Sequence, residues 1–167
     1  LFDKTGTLTS GDFSLLSIAA LSDKYDERSV RAMATALQRH SNHPLASAFT
    51  SSSESADVRD VRYIVGEGLQ GFVDNRRIRL GSLRFCQEIV PNLTPPPQEP
   101  LYWISLCKDG EALAWLGLTD EVNKEATPVL EGLRQRGIST ELLSGDASPR
   151  ATQLGKALEF DRVATGL

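Results

Sequence analysis

The first residues able to do chemistry lie at the start of the chain. Asp3 follows the apolar pair Leu1-Phe2, which is typical of the end of a strand. An aspartate at the carboxyl end of a parallel strand points into the crevice where α/β sheets bind ligands. There its carboxylate can attack a phosphoryl group and form an aspartyl-phosphate, while Lys4 and a Mg²⁺ ion offset the crowded negative charge. The alternative is an aspartate that caps a threonine-rich turn.

The loop after Asp3 is suited to an oxyanion. Backbone N–H groups and hydroxyls can bind a tetrahedral phosphate, and glycine and threonine residues supply both kinds of group. The residues of this type in the loop are Thr5, Gly6, Thr7 and Thr9. We therefore expect the loop to contact the phosphoryl group that Asp3 attacks.

Ser144-Gly145-Asp146 forms a second candidate group. It follows an apolar strand predicted over 138–143 and precedes a predicted helix start. If this strand lies beside Leu1-Phe2, the Ser144 hydroxyl lies near Asp3 and can donate a hydrogen bond to the transferring phosphoryl group. The alternative is an ordinary turn between a strand and a helix.

Two further motifs lie in the middle of the chain. Pro44 suits the first position of a helix, so the ring of His43 is expected at a helix N-terminus, whose positive end suits a purine or a phosphate. The alternative is a histidine that only caps the helix. Residues 66–71 match the pattern G-x-G-x-x-G, but a predicted hairpin follows them, which excludes a Rossmann dinucleotide site. The alternative for these glycines is a β-bulge.

The elements that position these motifs fall into two zones. Strands adjoin one another in residues 14–117, which indicates an α+β domain with an antiparallel sheet. From residue 118 helices and strands alternate, which is typical of a parallel α/β sheet. Leu1-Phe2 has no partner in the middle zone, so we expect it to pair with the strand at 138–143. The predicted fold class is therefore an α/β domain, residues 1–13 and 118–167, interrupted by an inserted domain over 14–117.

The individual elements are predicted from hydrophobic spacing, turn residues and two helix-capping residues, Asp26 and Ser82. The predicted helices cover residues 26–39, 44–50, 82–90, 122–136 and 148–158. The predicted strands cover residues 58–65, 72–73, 76–80, 101–107, 111–118, 138–143 and 162–164. Asp74-Asn75 predicts a tight hairpin turn, and Gly137 predicts a helix end. The hairpin arginines at 76, 77 and 79 are expected in solvent.

Composition narrows the class of protein. The 167 residues suffice for one domain or two small ones, and 40% apolar residues suffice for a core. The net charge of −4 disfavours a nucleic-acid binder, which usually has a basic face. Cys86 and Cys107 lack the spacing of a disulfide framework or a metal site, so we expect them to pack in a core. The chain shows no membrane helix and no signal peptide, and it does not begin with Met, so we expect a piece of a longer protein.

The opening motif resembles that of a known family. The segment Asp3-Lys4-Thr5-Gly6-Thr7-Leu8-Thr9 matches at every position the phosphorylation signature of the P-type ATPases, and the whole chain resembles the large cytoplasmic loop of such a pump. Ser144-Gly145-Asp146 resembles their later Thr-Gly-Asp loop with the hydroxyl kept, and Asp120 lies where the family returns to its phosphorylation domain. The resemblance implies a haloacid dehalogenase fold with an inserted nucleotide-binding domain. The implied catalytic residues are Asp3, Lys4, Thr5, Ser144 and Asp146.

A second segment narrows the class of pump. Ser41-Asn42-His43-Pro44-Leu45-Ala46 resembles the Ser-Glu-His-Pro-Leu motif of the heavy-metal pumps, and copper is the expected ion. The resemblance implies that His43 helps to orient ATP and that Gln38 contacts adenine, where the family usually has Glu. Gly81-Ser82 resembles the Gly-Asn pair of the same site. The implied nucleotide-binding residues are Gln38, His43, Gly66, Gly68, Leu69, Gly81 and Ser82.

The resemblance also implies ATP and Mg²⁺, with Asp3 and the backbone carbonyl of Thr5 as magnesium ligands. In the intact pump, at the cytoplasmic face of a membrane, phosphorylation of Asp3 would drive ion transport by membrane helices outside this chain. The other pump domains are the expected partners, and nucleic acid is not. The family's later Gly-Asp-Gly-x-Asn-Asp loop does not occur in the sequence. We therefore expect the isolated chain to bind ATP weakly and not to turn it over.

Two other functions stay open. A soluble haloacid dehalogenase phosphatase usually carries Asp-x-Asp, and here Thr5 stands at the second acidic place, so a phosphoenzyme should hydrolyse slowly. A module that only holds nucleotide would never form an acyl-phosphate. Trapping an acyl-phosphate on Asp3 of the full-length protein separates the pump from the binding module.

Overall fold

The computed structural model describes residues 1–50, 56–145 and 149–166, apart from the side chain of Thr5. The strands are β1 (Phe2–Asp3), β2 (Thr9–Ala20), β3 (Arg59–Ile64), β4 (Gly68–Val73), β5 (Arg76–Gly81), β6 (Tyr102–Lys108), β7 (Glu111–Val122), β8 (Glu141–Ser144) and β9 (Arg162–Thr165). The helices are α1 (Glu27–Gln38), α2 (Leu83–Gln87), α3 (Ala126–Gln135) and α4 (Pro149–Ala157), with a π-helical turn at Lys4–Leu8 and a 3-10 helix at Pro44–Phe49.

The chain forms two compact units. The first unit consists of Leu1–Asp12 and Asp120–Leu167, and the second consists of Phe13–Thr119. The boundaries fall inside β2 and β7, so each of these strands continues from one unit into the other.

The first unit contains a three-stranded sheet in the order β1-β8-β9, with both pairings parallel. Phe2 pairs with Leu142 and Asp3 pairs with Leu143. The predicted partnership between the first strand and the strand near 138–143 is therefore confirmed. Leu8, Leu130 and Leu142 are each at most 2% exposed and form the core under this sheet.

The second unit contains the antiparallel pairings of a six-stranded sheet in the order β2-β7-β6-β5-β4-β3. The predicted turn between β4 and β5 is confirmed, because Asp74 and Asn75 have φ angles of 51° and 60°, the left-handed values that a two-residue hairpin requires. The mixture of one parallel and one antiparallel sheet confirms the predicted fold class.

Helix α1 covers the antiparallel sheet. The Asp26 carboxylate accepts a hydrogen bond of 2.8 Å from the Ser29 N–H and so caps the first turn, as predicted. The apolar stripe of α1 then turns inward at helical spacing and packs with the sheet residues in one core. The stripe consists of Val30, Met33, Ala34 and Leu37.

Some elements differ from the prediction. The sequence pattern predicted no strand at Thr9–Ala20, where the structure has β2. Strand β7 continues to Val122, and α3 begins at Ala126 rather than at 122. The backbone of this segment is held extended by distant residues: the Asn123 N–H donates to Leu8 O at 2.8 Å, and the Ser10 hydroxyl donates to Glu121 O at 3.4 Å.

Arg79 was predicted to lie in solvent, and this prediction is wrong. Arg79 is 8% exposed, and its guanidinium donates hydrogen bonds to Gln70 Oε1, Phe85 O and Glu88 Oε2 at 2.9, 2.7 and 2.6 Å. The burial is tolerated because these acceptors and the ring of Phe85, 4.3 Å away, replace water around the charge.

The two cysteines are free thiols and fully buried, in a cluster with Trp115. Hydrogen bonding with Cys107 and burial raise the pKa of the Cys86 thiol. Both thiols therefore pack in this cluster, as expected, and the raised pKa makes Cys86 a poor nucleophile. In the ranges given above, no helix combines the length and the apolar character needed to cross a membrane.

Candidate functional site

Asp3 is the exposed last residue of β1. It precedes the π-helical turn, with φ −81° and ψ 147°, and its side chain makes no capping hydrogen bond to the described atoms of that turn. The capping alternative therefore does not describe Asp3. Its carboxylate lies at the carboxyl end of a parallel strand, which is the edge where α/β sheets bind ligands.

Ser144 ends the neighbouring strand β8 at the same edge. Asp3 pairs with Leu143, so Ser144 is one residue further along the adjacent strand. Ser144 is 3% exposed, and its carbonyl accepts a hydrogen bond of 2.9 Å from the Gly166 N–H. The structure thus brings Asp3 and Ser144 to one sheet edge. Asp146 lies outside the described residues, as does the side chain of Thr5.

Lys4 and Asp120 form an ion pair beside this edge. Lys4 Nζ lies 3.5 Å from Asp120 Oδ2, and the two side chains are 12% and 25% exposed. The Lys4 carbonyl also accepts hydrogen bonds from the backbone N–H and the hydroxyl of Thr9, the latter at 3.3 Å. The positive charge next to Asp3 is therefore held in place by contacts at both ends of the Lys4 residue.

The described residues fit a magnesium ion only in part. Asp3 supplies one exposed carboxylate, while the carboxylate of Asp120 is paired with Lys4. No group of three or more His, Cys, Asp or Glu side chains able to hold a metal occurs in the part of the chain that the structure describes. Because Mg²⁺ prefers several oxygen ligands, these residues do not complete a site for it.

Gln38 carries an unusual buried polar atom in the second unit. It ends α1, is 6% exposed, and its Oε1 atom has no hydrogen-bond partner within the described residues. The same is true of Thr35 Oγ1, one helical turn earlier. A buried polar atom normally has a partner, because leaving it without one costs free energy. Gln38 Oε1 is therefore a buried acceptor that has no donor among the described residues, and its contact with adenine stays a prediction.

His43 lies at the start of the 3-10 helix. Its Nδ1 accepts a hydrogen bond of 3.2 Å from the Leu45 N–H, so the capping contact of the alternative interpretation is present, and the role toward ATP stays a prediction. In the neutral ring this contact leaves the proton on Nε2, which makes Nε2 a donor. The ring is exposed, and α1 contacts the 3-10 helix as well as β4. The elements that carry Gln38, His43 and Gly68 are therefore neighbours.

Gly68 and Gly81 are paired across β4 and β5 at very short range. A Cβ on Gly68 would lie 2.2 Å from Leu80 O, and a Cβ on Gly81 would lie 2.2 Å from Glu67 O. These two glycines are therefore required by the approach of the strands themselves. Gly66 differs: its φ is +75°, and a Cβ there would meet no described heavy atom within 4 Å, so its surface is open.

Ser82 and Leu69 are the two remaining residues that were predicted to bind nucleotide. Ser82 accepts a hydrogen bond from the Phe85 N–H at 3.2 Å and caps α2, as predicted. Leu69 is 2% exposed and belongs to the core, so it packs behind the glycine turn. Sequence reasoning missed the acidic residue in this turn: Glu67 Oε2 accepts a hydrogen bond of 3.0 Å from the Ser82 hydroxyl. The signal available was a single charged residue between two glycines.

Comparison with known proteins places the chain in a family. A family profile described as haloacid dehalogenase-like hydrolase matches residues 1–166. The chain belongs to this family. The chain is 36% identical over 166 residues to SynA, a probable copper-transporting ATPase of Synechococcus elongatus, and the match covers 96% of the chain and 21% of the relative.

A second relative matches a similar share of the chain. The chain is 30% identical over 171 residues to a probable cadmium-transporting ATPase of Alkalihalophilus pseudofirmus, a match that covers 92% of the chain and 24% of that protein. The chain thus spans only about a fifth to a quarter of the length of these curated relatives. The predicted resemblance to heavy-metal P-type ATPases is confirmed.

A solved structure shows the same fold. The catalytic domain of the CPx-ATPase CopB-B superposes on 99% of the chain and 60% of its own length, with a TM-score of 0.71 and 23% sequence identity. Together with the family profile, this likeness confirms the predicted combination of a haloacid dehalogenase-like parallel sheet with a separate antiparallel sheet.

Proposed function

We propose that the chain is the ATP-binding and phosphorylation region of a heavy-metal-transporting P-type ATPase, and that Asp3 accepts the γ-phosphate of ATP. The observation that carries the proposal is the pairing of β1 with β8, by which Asp3 and Ser144 end adjacent strands at one edge of a parallel sheet. The Asp3 carboxylate makes no capping hydrogen bond to the described atoms of the turn that follows it. The 36% sequence identity to SynA, over 96% of the chain, supports the same conclusion.

The phosphoryl transfer follows from the residues at this edge. A carboxylate oxygen of Asp3 attacks the γ-phosphorus, and the bond from that phosphorus to the bridging oxygen breaks, so that ADP leaves with the electron pair. The Ser144 hydroxyl donates a hydrogen bond to an oxygen of the transferring group. Lys4 lowers the electrostatic cost of bringing a phosphate to a carboxylate. The role of Mg²⁺, with Asp3 and Thr5 as ligands, stays a prediction.

In the proposed function the second unit holds ATP. Gln38 accepts a hydrogen bond from the adenine amino group, and the Nε2 of His43 donates to the nucleotide. Gly66 offers an open backbone surface to the phosphates, with Gly68 and Gly81 behind it and Leu69 and Ser82 supporting the turn. The unsatisfied Oε1 of Gln38 supports this role, because a buried acceptor without a donor costs free energy.

We further propose that the transported ion is copper and that the intact protein acts at a membrane. The support is the similarity to SynA, which is described as a probable copper-transporting ATPase and is more similar to the chain than the probable cadmium-transporting relative, at 36% against 30% identity. Stimulation of phosphorylation by Cu⁺, but not by Cd²⁺ or Zn²⁺, would support this assignment in the full-length protein, and the reverse preference would replace it.

The decisive experiment traps the phosphoenzyme. The full-length gene product is mixed with ATP labelled at the γ-phosphate, quenched in acid, and tested for label that hydroxylamine releases, as an acyl-phosphate requires. The Asp3→Asn variant should carry no label. Asp12→Asn, the same change at an exposed aspartate of β2, is the matched control and should label normally.

Three results would contradict the proposal. Label that persists in Asp3→Asn would place the acceptor elsewhere. ATP binding without any acyl-phosphate would identify a nucleotide-binding module. Rapid release of phosphate from simple phosphate esters, with dependence on Asp3, would identify a soluble phosphatase.

A further inference from the structure

The turn at Gly66–Gly68 joins β3 to β4 and contains two glycines, with one backbone hydrogen bond of 3.1 Å from the Glu67 N–H to Ile64 O. Gly66 and Gly68 have φ angles of +75° and +150°, and Gly66 has open space around its Cα. Glycine loses more conformational freedom on ordering than any other residue, so a turn with two glycines is costly to fix. Contacts from outside the glycines must therefore hold it.

Glu67, between the two glycines, makes these contacts. Its carbonyl accepts a hydrogen bond of 2.9 Å from the Ser82 N–H, and its Oε2 accepts one of 3.0 Å from the Ser82 hydroxyl. The same hydroxyl oxygen accepts the N–H of Phe85 at 3.2 Å. The Glu67 side chain thus links the turn to the first turn of α2. The Ser82 hydroxyl acts both as a donor, to Glu67, and as an acceptor, from Phe85.

The second partner of the Glu67 carboxylate is weaker. Arg84 lies 3.3 Å from Oε1, but its side chain is 85% exposed, whereas that of Glu67 is 25% exposed. An ion pair with such an exposed arginine contributes little. The hydrogen bond to Ser82 is therefore the contact that fixes the carboxylate.

The turn has little room to shift. The carbonyl of Glu67 lies 2.2 Å from the position of a Cβ on Gly81, and a Cβ on Gly68 would lie equally close to Leu80 O. Rotation of the Glu67 peptide therefore changes the spacing of β4 and β5 at the end where both glycines lie. The side chain of Glu67 and the conformation of the turn are coupled through this close approach.

We propose that Glu67 is a positioning residue for nucleotide binding: its carboxylate, held by the Ser82 hydroxyl, fixes the Gly66–Gly68 turn in the shape that receives the phosphates. The inference rests on the proposed nucleotide-binding function of the second unit. Glu67 does not touch the nucleotide. When only a fraction of the molecules holds the competent turn, the apparent dissociation constant rises by the inverse of that fraction.

The test compares matched variants of the chain by calorimetric titration with ATP. Glu67→Ala should weaken ATP binding about tenfold, the order expected when a charge-assisted hydrogen bond is lost. Glu67→Gln keeps an oxygen acceptor for Ser82 and should restore most of the affinity. Arg84→Ala, which removes the exposed partner of the same carboxylate, should change the affinity less than about twofold.

Amide hydrogen exchange separates positioning from general stability. In Glu67→Ala the backbone amides at positions 67 and 68 should exchange faster than in the unaltered chain, while those in the core strand β6 keep their protection. Saturating ATP should restore protection in the turn. The effects of Glu67→Ala and Ser82→Ala on affinity should be strongly non-additive, since both remove one contact.

Each outcome decides one question. If the unaltered chain binds no ATP, the proposed nucleotide site is overturned and this inference with it. If the unaltered chain binds ATP and Glu67→Ala binds it equally well, only the positioning role is overturned. A loss of affinity in Glu67→Ala that Glu67→Gln does not restore, with β6 exchanging faster as well, would also overturn it in favour of a role in stability.

Discussion

A methyl group added at Gly81 should separate β4 from β5. The new Cβ would lie 2.2 Å from Glu67 O, 2.9 Å from the Cα of Gly68 and 3.0 Å from Phe85 Cδ1. A carbon and a carbonyl oxygen rest at roughly 3.3 Å or more, so the strands must move apart by roughly 1 Å. The first two obstacles are backbone atoms, which no side-chain rotation can relieve.

The energetic cost follows from that geometry. Overpacking costs about 1–3 kcal/mol, and a backbone obstacle on the facing strand puts Gly81→Ala at the upper end of this range, about 3 kcal/mol. Since the displaced atom belongs to Glu67, we also expect ATP affinity to fall by about tenfold or more through the proposed loss of the competent turn.

Tryptophan fluorescence in a urea titration measures the stability of the second unit alone, because Trp103 and Trp115 both lie in it. Gly132→Ala is the matched control: it adds the same methyl group within α3 of the first unit, where a Cβ would meet no described atom within 4 Å. That variant should leave the fluorescence transition unchanged and slightly stabilise α3, since alanine is the better helix former. An unchanged transition and unchanged ATP affinity in Gly81→Ala would refute the reasoning.

Two further predictions concern the ends of elements. Lys4 and Asp120 should show a coupling energy of about 1 kcal/mol in a double-mutant cycle with alanine, measured by unfolding of the first unit; additive single effects would contradict a real ion pair. Asp26→Ala should destabilise α1 at neutral pH, because it removes the carboxylate that caps the helix, and circular dichroism during thermal unfolding measures the loss. The hydrogen bonds from Ser29 lower the pKa of Asp26 below its ordinary value of 3.8. A lowered pKa in the folded state stabilises the protein above that ordinary value, and the stabilisation is lost as the pH falls through the folded-state pKa, so the difference from the unaltered chain should vanish in acid. Asp23→Ala, at an exposed position outside α1, is the control, and a pH-independent difference for Asp26→Ala would contradict the cap.

The features that the sequence predicted well depend on neighbours along the chain. Asp26, Ser82 and Gly137 act within a few residues of themselves, so their cap and stop positions could be read locally. The Asp74-Asn75 turn is local in the same way. The seven-residue segment from Asp3 indicated the family before any contact was known.

Other features were decided only by tertiary structure. Strand β2 has no clean alternation, and its extended form depends on pairing with β7, about a hundred residues away. The sequence around Arg79 indicates a surface residue, and only the packing of α2 against β5 brings hydrogen-bond acceptors to its guanidinium. The link between Glu67 and Ser82 depends on the close approach of β4 and β5.

The sequence by itself determined which side chains are candidates for the chemistry: a carboxylate at Asp3, a hydroxyl at Ser144, and the glycines of a turn. Only the tertiary structure decided that Asp3 and Ser144 end adjacent strands, that Lys4 pairs with Asp120, and that Gln38 is buried with an unsatisfied oxygen. The physical reason is range. Caps and turns are set by backbone geometry over a few residues, whereas burial and ion pairing depend on segments that meet only after the chain has folded.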